Sequence, residues 1–439
     1  MLLLIHIPKT AGTSVKGVLS EFFRPSEVLE FAFQPEILEI PPIHLRKYQL
    51  VMGHCTYGYA RYVGAETNAL TFLRRPIAQA LSLFFDLKDN GLLSPRATLS
   101  EVIASPDIQR ILNLQSRWLA SDDFGAAGLN CWYPSSSGKR RSIMKSPAVG
   151  KLGVDVPYPD AASSIRALTN QSLLEKAIAR LETLRFVGIT EFFEDSMRLL
   201  CQEFGWPPTA RNPKLNARPK KRMECVDQEG LRRLEELLEI DRRLYDYALH
   251  LFQERLKRAL ASGVDQYERR LSESPRVAEQ LVAFDGSVPG TGWHERERTD
   301  AGQWARWTAK VATIDMPLVQ DSGVLLSFFV TAAITPTGLE DLKVSVNGVP
   351  IETRHYFQVS GLYANALFTG YVSREALMRR PGFTRIEFQT KETRRPCDIY
   401  PGSEDDRELG VMVSWVCAVP DKAADESRHM ATRALSVAP

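Results

Sequence analysis

The fold class can be inferred from residues 2–14, which read Leu2-Leu3-Leu4-Ile5-His6-Ile7-Pro8-Lys9-Thr10-Ala11-Gly12-Thr13-Ser14. Residues 2–7 form an apolar run of strand length, which is typical of a buried parallel strand. From Thr13 onward the apolar positions follow a helical period, at Val15, Val18, Leu19 and Phe22. The stretch therefore predicts a strand, a polar loop and a helix in direct succession.

The same alternation of strand and helix continues along the first 260 residues. Further strands are predicted at 48–52, 68–73 and 185–189. Pro76 favours the start of a helix, since proline fits the first helical position, and helical patterns follow at 171–184, 193–204 and 227–260. Strands that alternate with helices predict an α/β fold with a mostly parallel sheet, like that of P-loop proteins, flanked by helices.

In the second half of the chain the apolar period becomes two. Strands are predicted at 324–330, 342–346, 384–388 and 411–416, and Asn347-Gly348 is typical of a tight hairpin turn. Short strands separated by turn residues indicate a β-sandwich. We therefore expect a domain at 1–260, a polar linker at 261–280, a β-sandwich domain at 281–425 and a flexible tail at 426–439.

Bulk properties exclude several classes of protein. The chain has 439 residues, too many for one ordinary core, and its net charge of +2 gives no bulk attraction to nucleic acid. No segment approaches the roughly 20 apolar residues of a membrane span. The six cysteines lack CxxC spacing, which argues against zinc and against a disulfide framework. We expect a cytoplasmic protein with no integral membrane segment; its oligomeric state is left open.

The loop between the first strand and helix has the composition of a phosphate site. The first N–H groups of a helix have no intrahelical partner and point at bound anions. Glycine permits a close approach of the backbone, lysine adds positive charge, and the hydroxyls add donors. The predicted ligands are Lys9, Thr10, Ala11, Gly12, Thr13 and Ser14. A strand–helix turn with incidental polar residues is the alternative.

This loop does not have the order of a Walker A motif. Its lysine precedes the glycine, whereas Walker A ends in Gly-Lys-Ser/Thr, and no residue has the pattern of a Walker B aspartate. A magnesium-dependent kinase is therefore disfavoured. It stays open as an alternative, as does a non-catalytic glycan-binding protein with a decayed transferase domain.

Residues 6–14 resemble the 5′-phosphosulfate-binding loop of Golgi-type carbohydrate sulfotransferases. The resemblance is greatest to the heparan sulfate 2-O-sulfotransferase family and its bacterial relatives, and it covers roughly residues 1–258. Its further blocks are Gly53-His54, Phe72–Pro76 with Ser82, Val187–Glu191, and 241–252. The resemblance implies an O-sulfotransferase whose co-substrate is 3′-phosphoadenosine 5′-phosphosulfate (PAPS), whose acceptor is a carbohydrate hydroxyl, and which needs no metal.

The resemblance also implies a second anion site, for the 3′-phosphate of PAPS. Arg74 and Ser82 match the arginine and serine that bind this phosphate, and a guanidinium can grip a phosphate with two hydrogen bonds. The sequence departs from the family pattern at Arg75, where an acid is usual, and at Gln79, where arginine is common. A surface arginine pair is the alternative.

A third basic block, which supplies Lys220 and Lys221, resembles the late loop of the family, and the resemblance implies that it closes over the nucleotide. A solvated run of charge explains this block equally well.

The best candidate for the catalytic base is His54, after a predicted strand. A neutral imidazole accepts protons near neutral pH, and the resemblance assigns the base to this position and stabilisation of the leaving phosphate to Lys9. Glu66 and Glu101 are competing carboxylate bases. His6 is expected to be structural, and Glu191 is expected to cap a helix or end a strand.

The acceptor site is the least determined feature. The loop at 120–165 carries aromatic and basic residues that suit an acceptor lid, or it is a surface insertion. The block at 113–118, with Trp118, contacts the acceptor or adenine, or packs as a core helix.

The second half of the chain contains no catalytic constellation. Parts of it resemble, more weakly, a β-sandwich module attached to bacterial glycan-modifying enzymes. Its tryptophans favour a core role over sugar stacking: Trp293, Trp304, Trp307 and Trp415.

Overall fold

The computed structural model describes residues 1–33, 40–65, 68–89, 91, 93–104, 112–122, 168–208, 226–262, 266–335, 337–360 and 363–421. The chain packs as two compact units. The N-terminal unit comprises Met1–Ser20, Ser26–Leu200 and Pro213–Gly263, and the C-terminal unit comprises Glu21–Pro25, Cys201–Asn212 and Val264–Pro439.

The N-terminal unit contains a five-stranded parallel sheet with the order β2-β3-β1-β4-β5. Its strands are β1 (Leu2–Ile5), β2 (Val28–Phe33), β3 (Leu50–His54), β4 (Ala69–Leu73) and β5 (Phe186–Ile189). The central strand β1 is buried along its whole length, as its unbroken apolar run predicts. The predicted α/β class with a parallel sheet is confirmed.

Helices flank this sheet. They are α1 (Gly12–Ser20), α2 (Pro42–Leu45), α3 (Tyr57–Tyr62), α4 (Pro76–Asp89), α5 (Leu99–Ala104), α6 (Leu114–Ala120), α7 (Asn170–Thr183), α8 (Phe193–Phe204), α9 (Gln228–Leu237) and α10 (Glu239–Ser262). The residues that precede α7 and α9 cap these helices: Thr169 accepts from the backbone N–H of Ser172, and Asp227 accepts from that of Gly230. Among the helices that the structure describes, none is long and apolar enough to cross a membrane.

The strand order determines where a ligand fits. From β1 the chain passes to β2, at one edge of the sheet, and from β4 it passes to β5, at the opposite edge. Ligands of open α/β sheets bind where neighbouring connections diverge in this way, outside the carboxyl ends of the strands. The residues that follow β1, β3, β4 and β5 therefore meet at one edge of the sheet.

The C-terminal unit contains two antiparallel sheets. The first has seven strands, in the order β13-β14-β10-β16-β8-β7 with β6 paired to β16, and the second has the order β12-β11-β15-β9. The strands are β6 (Gln280–Ala283), β7 (Trp293–Arg298), β8 (Trp304–Thr308), β9 (Val311–Met316), β10 (Val324–Ala333), β11 (Lys343–Val346), β12 (Val349–Ile351), β13 (Thr353–Ser360), β14 (Tyr363–Val372), β15 (Thr384–Gln389) and β16 (Val411–Pro420).

The two sheets share one core. The rings of Phe328, in the seven-stranded sheet, and Phe388, in the four-stranded sheet, pack edge to face with their centroids 5.1 Å apart. Both side chains are fully buried. This arrangement agrees with the predicted β-sandwich. The predicted hairpin turn is confirmed, since Asn347 and Gly348 both have positive φ and join β11 to β12.

Three short helices complete the C-terminal unit: α11 (Gln266–Glu273), α12 (Arg374–Met378) and α13 (Pro396–Ile399). The first of them lies within the segment 261–280 for which a linker is predicted. The exact domain boundaries stay predictions, and the tail at 426–439 lies outside the described residues.

Candidate functional site

The loop between β1 and α1 has an unusual backbone. Lys9 and Ala11 adopt left-handed conformations, with φ of 68° and 65°, which residues with a Cβ seldom do and which often mark functional loops. The backbone N–H of Val15 donates to the carbonyl of Ala11 over 3.0 Å and closes the first helical turn. The N–H groups that precede it have no acceptor within the helix.

The side chains of this loop differ in their access to solvent. Lys9 and Ala11 are half-buried and Thr13 is exposed, whereas Thr10 and Ser14 are buried. The Thr10 hydroxyl donates to the carbonyl of Ile7 over 2.8 Å. Its hydroxyl proton is therefore committed to the loop itself, and the solvent-facing side of the loop presents Lys9 and Thr13.

Gly12 provides space for the imidazole of His6. A Cβ added at Gly12 would lie 1.7 Å from Nε2 of His6, so no other residue fits without moving the ring. The sequence predicted that Gly12 admits a phosphate; the packing against His6 is a second reason for glycine that the sequence did not reveal.

His6 and His54 form a stacked pair at the ends of β1 and β3. Their ring centroids are 4.0 Å apart at an interplanar angle of 23°. Nδ1 of His54 lies 2.8 Å from the carbonyl oxygen of His6. Because a carbonyl only accepts, Nδ1 carries the proton, and in the neutral ring Nε2 holds the lone pair.

Burial keeps His6 itself neutral. Desolvation, followed by the proximity of His54, Lys16 and Lys9, lowers the pKa of His6 well below its usual value. Its Nδ1 is buried and has no hydrogen-bond partner among the residues that the structure describes. His6 therefore serves as a neutral platform beneath His54, in keeping with the structural role predicted for it.

Arg74 links the loops that follow β1 and β4. Its Nη1 donates to the carbonyl of Lys9 over 3.1 Å. The side-chain amide of Gln115 makes two hydrogen bonds to the backbone of Arg74. Its oxygen accepts from the Arg74 N–H and its nitrogen donates to the Arg74 carbonyl, each over 2.9 Å. Burial lowers the pKa of Arg74, and the nearby carboxylate of Glu191 partly offsets this. The guanidinium is thus held beside the loop between β1 and α1.

Gln115 is held in turn by a buried carboxylate. Asp241 accepts from the backbone N–H groups of Gln115 and Ser116, over 3.0 and 2.7 Å, and from the Ser116 hydroxyl over 2.5 Å. Desolvation raises the pKa of Asp241, and the hydrogen bonds from Ser116 oppose that rise. Asp241 therefore satisfies the buried N-terminus of α6 and places Gln115 against Arg74.

Trp118 belongs to the core. Its side chain is fully buried, and its indole N–H donates to the carbonyl of Cys55, the residue that follows His54. Of the two interpretations of the 113–118 block, helix packing is confirmed for Trp118. The block acts on the site by holding the chain at Cys55 and Arg74.

Helix α4 places three polar side chains at helical spacing near the loop. Gln79 donates to the carbonyl of Pro8 over 3.0 Å, and Asp86 accepts from Nζ of Lys9 over 3.1 Å. Ser82 lies between them in sequence and is half-buried. The roles of Gln79 and Asp86 were not predicted from the sequence, although their spacing with Ser82 (i, i+3, i+7) indicates a shared helix face.

Glu191 caps the start of α4, which is one of the two roles expected for it. It accepts from the backbone N–H of Arg75 and from the hydroxyl of Tyr245, each over 2.9 Å. The neighbouring Thr190 hydroxyl donates to the carbonyl of Thr10 over 3.1 Å. The end of β5 is thereby joined to the loops that follow β1 and β4.

Several predicted site residues lie outside the described residues. They are Lys220, Lys221, Glu66 and the lid residues Trp132, Tyr133, Lys139, Arg140, Arg141 and Lys145. Glu101, the other competing base, accepts from the backbone N–H of Thr98 over 2.8 Å, a helix-capping contact. Within the described part of the chain, no group of three or more His, Cys, Asp or Glu residues is arranged to hold a metal ion.

Comparison with known proteins gives partial matches. The chain is 35% identical over 132 residues to heparan-sulfate 6-O-sulfotransferase 1 of Homo sapiens, covering 27% of this chain and 30% of that protein. Identity is also 35% over 101 residues to the same-named proteins of Cricetulus griseus and Mus musculus. The chain thus spans less than a third of the length of these relatives. They are named for the 6-O position, and the 2-O resemblance stays a prediction.

Two further comparisons add no assignment. No protein-family model matches the chain. A solved GH115 4-O-methyl-α-glucuronidase aligns with 96% of this chain and 51% of its own at 9% identity and a TM-score of 0.20, too low to carry an argument about the fold.

Proposed function

We propose that the N-terminal unit transfers the sulfuryl group of PAPS to a hydroxyl of a carbohydrate acceptor. One observation carries the proposal: the carbonyl of His6 holds His54 by its Nδ1 over 2.8 Å, and Lys9 follows three positions later in the same turn. A base with a defined lone pair is therefore held by the residue that leads into the loop carrying the cation for the leaving group. The similarity to heparan-sulfate sulfotransferases over part of the chain supports the same reaction.

The charges near the loop fit a nucleotide with two anionic ends. Lys9 and the N-terminus of α1 suit the 5′-phosphosulfate, because helix N-termini attract anions. Arg74 and Ser82 suit the 3′-phosphate, and Lys220 and Lys221 are proposed to reach the same nucleotide. The strand order 2-3-1-4-5 supports a P-loop-like placement of the nucleotide at the carboxyl ends of β1 and β4.

The proposed chemistry is one in-line displacement. His54 Nε2 accepts the proton of the acceptor hydroxyl while the acceptor oxygen forms its bond to sulfur. The bond between sulfur and the bridging phosphate oxygen breaks, and Lys9 stabilises the electron pair left on that oxygen. His54 then releases its proton to solvent. Lys9 and the α1 N-terminus supply the positive charge for this step.

Asp86 gives Lys9 a partner before the nucleotide binds. The Lys9–Asp86 pair is partly exposed, so it contributes little to stability and can open at low cost. We propose that Lys9 exchanges the Asp86 carboxylate for a phosphate oxygen.

The test is transfer of label from ³⁵S-PAPS to a panel of desulfated heparan sulfate, chondroitin, neutral glycans and small alcohols. We expect labelled glycan, and we expect Lys9→Ala and His54→Ala each to lower turnover by about 10²–10⁴-fold. Lys47→Ala and His44→Ala change exposed residues of the same types and should retain activity. Full activity of either site variant would contradict the role given to that residue.

Calorimetry distinguishes the alternatives. Binding of 3′,5′-adenosine bisphosphate without magnesium supports the proposal, and binding of ATP with magnesium instead would favour a kinase. Bisphosphate binding without transfer to any acceptor would favour a decayed transferase.

A further inference from the structure

The seven-stranded sheet of the C-terminal unit carries a cleft. Its volume is about 590 Å³, within the range of about 300–1,000 Å³ typical of small-molecule sites. Trp304 and Trp415 line it, together with the apolar side chain of Leu281. Its polar lining includes Asp285 and Gln303. No lysine or arginine is among the described residues that line it.

Strand alternation places this cleft on the face of the sheet that points away from the core. Val416 is fully buried between the sheets, so its neighbour Trp415 points to the opposite face. Trp415 is paired with Phe329 on one side and Ala283 on the other. The half-buried indole thus belongs to the outer surface.

Both indoles are held in place by their neighbours. Trp415 stacks with Phe329, with ring centroids 6.2 Å apart at 12°. Trp304 has the guanidinium carbons of Arg298 and Arg296 over its ring, 4.7 and 5.4 Å from the centroid. Such contacts fix aromatic rings in position, so a ligand meets a surface that is largely formed before it binds.

Trp293 shows what a core tryptophan looks like in the same unit. Its ring lies 4.7 Å from Phe284 and 5.8 Å from Phe388, both fully buried. Its indole N–H donates to the carbonyl of Thr313 over 2.7 Å. The core role predicted for the tryptophans therefore holds for Trp293, whereas Trp304 and Trp415 line the cleft.

We propose that this cleft binds a glycan whose pyranose units stack on Trp304 and on Trp415. A sugar ring has an apolar C–H face and a rim of hydroxyls. The indoles match the face, while the Asp285 carboxylate, the Gln303 amide and the Ser327 hydroxyl at the cleft match the rim. The Asp285 carboxylate lies 3.6 Å from Nε of Arg24 in a partly exposed pair, which can open to a sugar hydroxyl at low cost. The preference for a glycan rests in part on the proposed function.

The experiment measures binding of the full chain to an unsulfated heparan backbone hexasaccharide and to cellohexaose, without PAPS, by indole fluorescence and calorimetry. We expect a shift in indole emission and at least a tenfold loss of affinity in Trp304→Ala and Trp415→Ala, as for a central aromatic anchor. Tyr400→Ala removes an exposed aromatic residue outside the cleft and should bind like the parent chain.

A second pair of variants guards against misfolding. The double variant Trp304→Phe/Trp415→Phe keeps aromatic packing but removes the indole fluorescence of the cleft. Ser327→Tyr fills the cleft without removing a core residue. Both variants should weaken glycan binding. Unchanged affinity in all variants, or no binding of either hexasaccharide to the parent chain, would overturn the proposal. Self-association abolished by the same substitutions, with no glycan binding, would assign the cleft to a second copy and overturn it too.

The assay separates this proposal from the transferase proposal. Because PAPS is absent, the cleft can bind glycan even if no sulfate is ever transferred. The converse result is a parent chain that transfers sulfate normally while its cleft variants bind glycan as tightly as the parent does. That result would overturn the cleft proposal and leave the transferase proposal standing.

Discussion

The two proposed binding surfaces use their sheets differently. The transferase site lies at the carboxyl ends of parallel strands, where Arg74 is held by Gln115 and Gln115 by the buried Asp241. The glycan cleft lies on the face of an antiparallel sheet, where Trp415 is supported by ring stacking. Proton transfer needs an atom at hydrogen-bond distance, so its side chains need a hydrogen-bonded second layer. Stacking tolerates looser placement, and packing alone suffices.

The substitution Asp241→Ala should have the largest effect, because it removes the hydrogen-bonded layer that distinguishes the transferase site from the glycan cleft. It leaves the buried N–H groups of Gln115 and Ser116 without an acceptor, at about 1–3 kcal/mol for each unsatisfied group. We expect urea denaturation to show a loss of about 3 kcal/mol and calorimetry to show weaker bisphosphate binding, while glycan binding by the C-terminal unit persists. Asp246→Ala, exposed on the same helix, is the control. A loss below about 1 kcal/mol would mean that the second layer is dispensable.

Gln115→Ala tests the second layer more gently. It removes both hydrogen bonds to the backbone of Arg74, so the guanidinium loses its fixed position. We expect KM for PAPS to rise about tenfold, from roughly 1.4 kcal/mol of lost binding, with a smaller change in kcat. Gln171→Ala, exposed on α7, should leave both constants unchanged. A fall in kcat alone would instead connect Gln115 with the chemical step.

Asp86→Asn sharpens the role of Lys9. The carboxylate competes with the nucleotide for Nζ of Lys9, which it holds at 3.1 Å. Removing its charge should tighten bisphosphate binding about fivefold, since such partly exposed pairs are worth on the order of 1 kcal/mol, and the gain should shrink at high salt. Asp89→Asn, exposed on the same helix, serves as the comparison. Weaker binding by Asp86→Asn would show that Asp86 orients Lys9 for the nucleotide.

The smallest expected effect is the pH dependence that His6 gives to the N-terminal unit. Burial lowers the pKa of His6 in the folded chain, so below about pH 6.5 the unfolded chain takes up a proton that the folded chain excludes. The free energy of unfolding should therefore fall as pH drops from 7.5 to 5.5. His6→Asn should reduce this fall by up to about 1 kcal/mol, and His44→Asn, exposed on α2, should not. If the free energy of unfolding of His6→Asn falls with pH as steeply as that of the parent chain, His6 is not the source of the pH dependence.

Much of the fold was predictable because its signals are local. The apolar run of β1, the proline at the start of α4 and the Asn347-Gly348 turn each act over a few residues. Strand β2 was not predicted, since Glu30 interrupts its apolar pattern, and β7 was missed because residues 293–298 are mostly charged. Pairing with neighbouring strands, which a local pattern does not contain, stabilises both.

From the sequence alone, the types and spacing of residues predict the alternation of strands and helices in the first half of the chain, a candidate phosphate loop, and the candidates Lys9, His54 and Arg74. What holds these residues in place depends on tertiary contacts: Gln115 and Asp241 lie 126 positions apart and meet through one hydrogen bond. The tertiary structure also separated core from surface among the tryptophans, since which face of a strand is buried depends on the sheet packed against it. Contacts between distant segments leave no local pattern, and those contacts position the site.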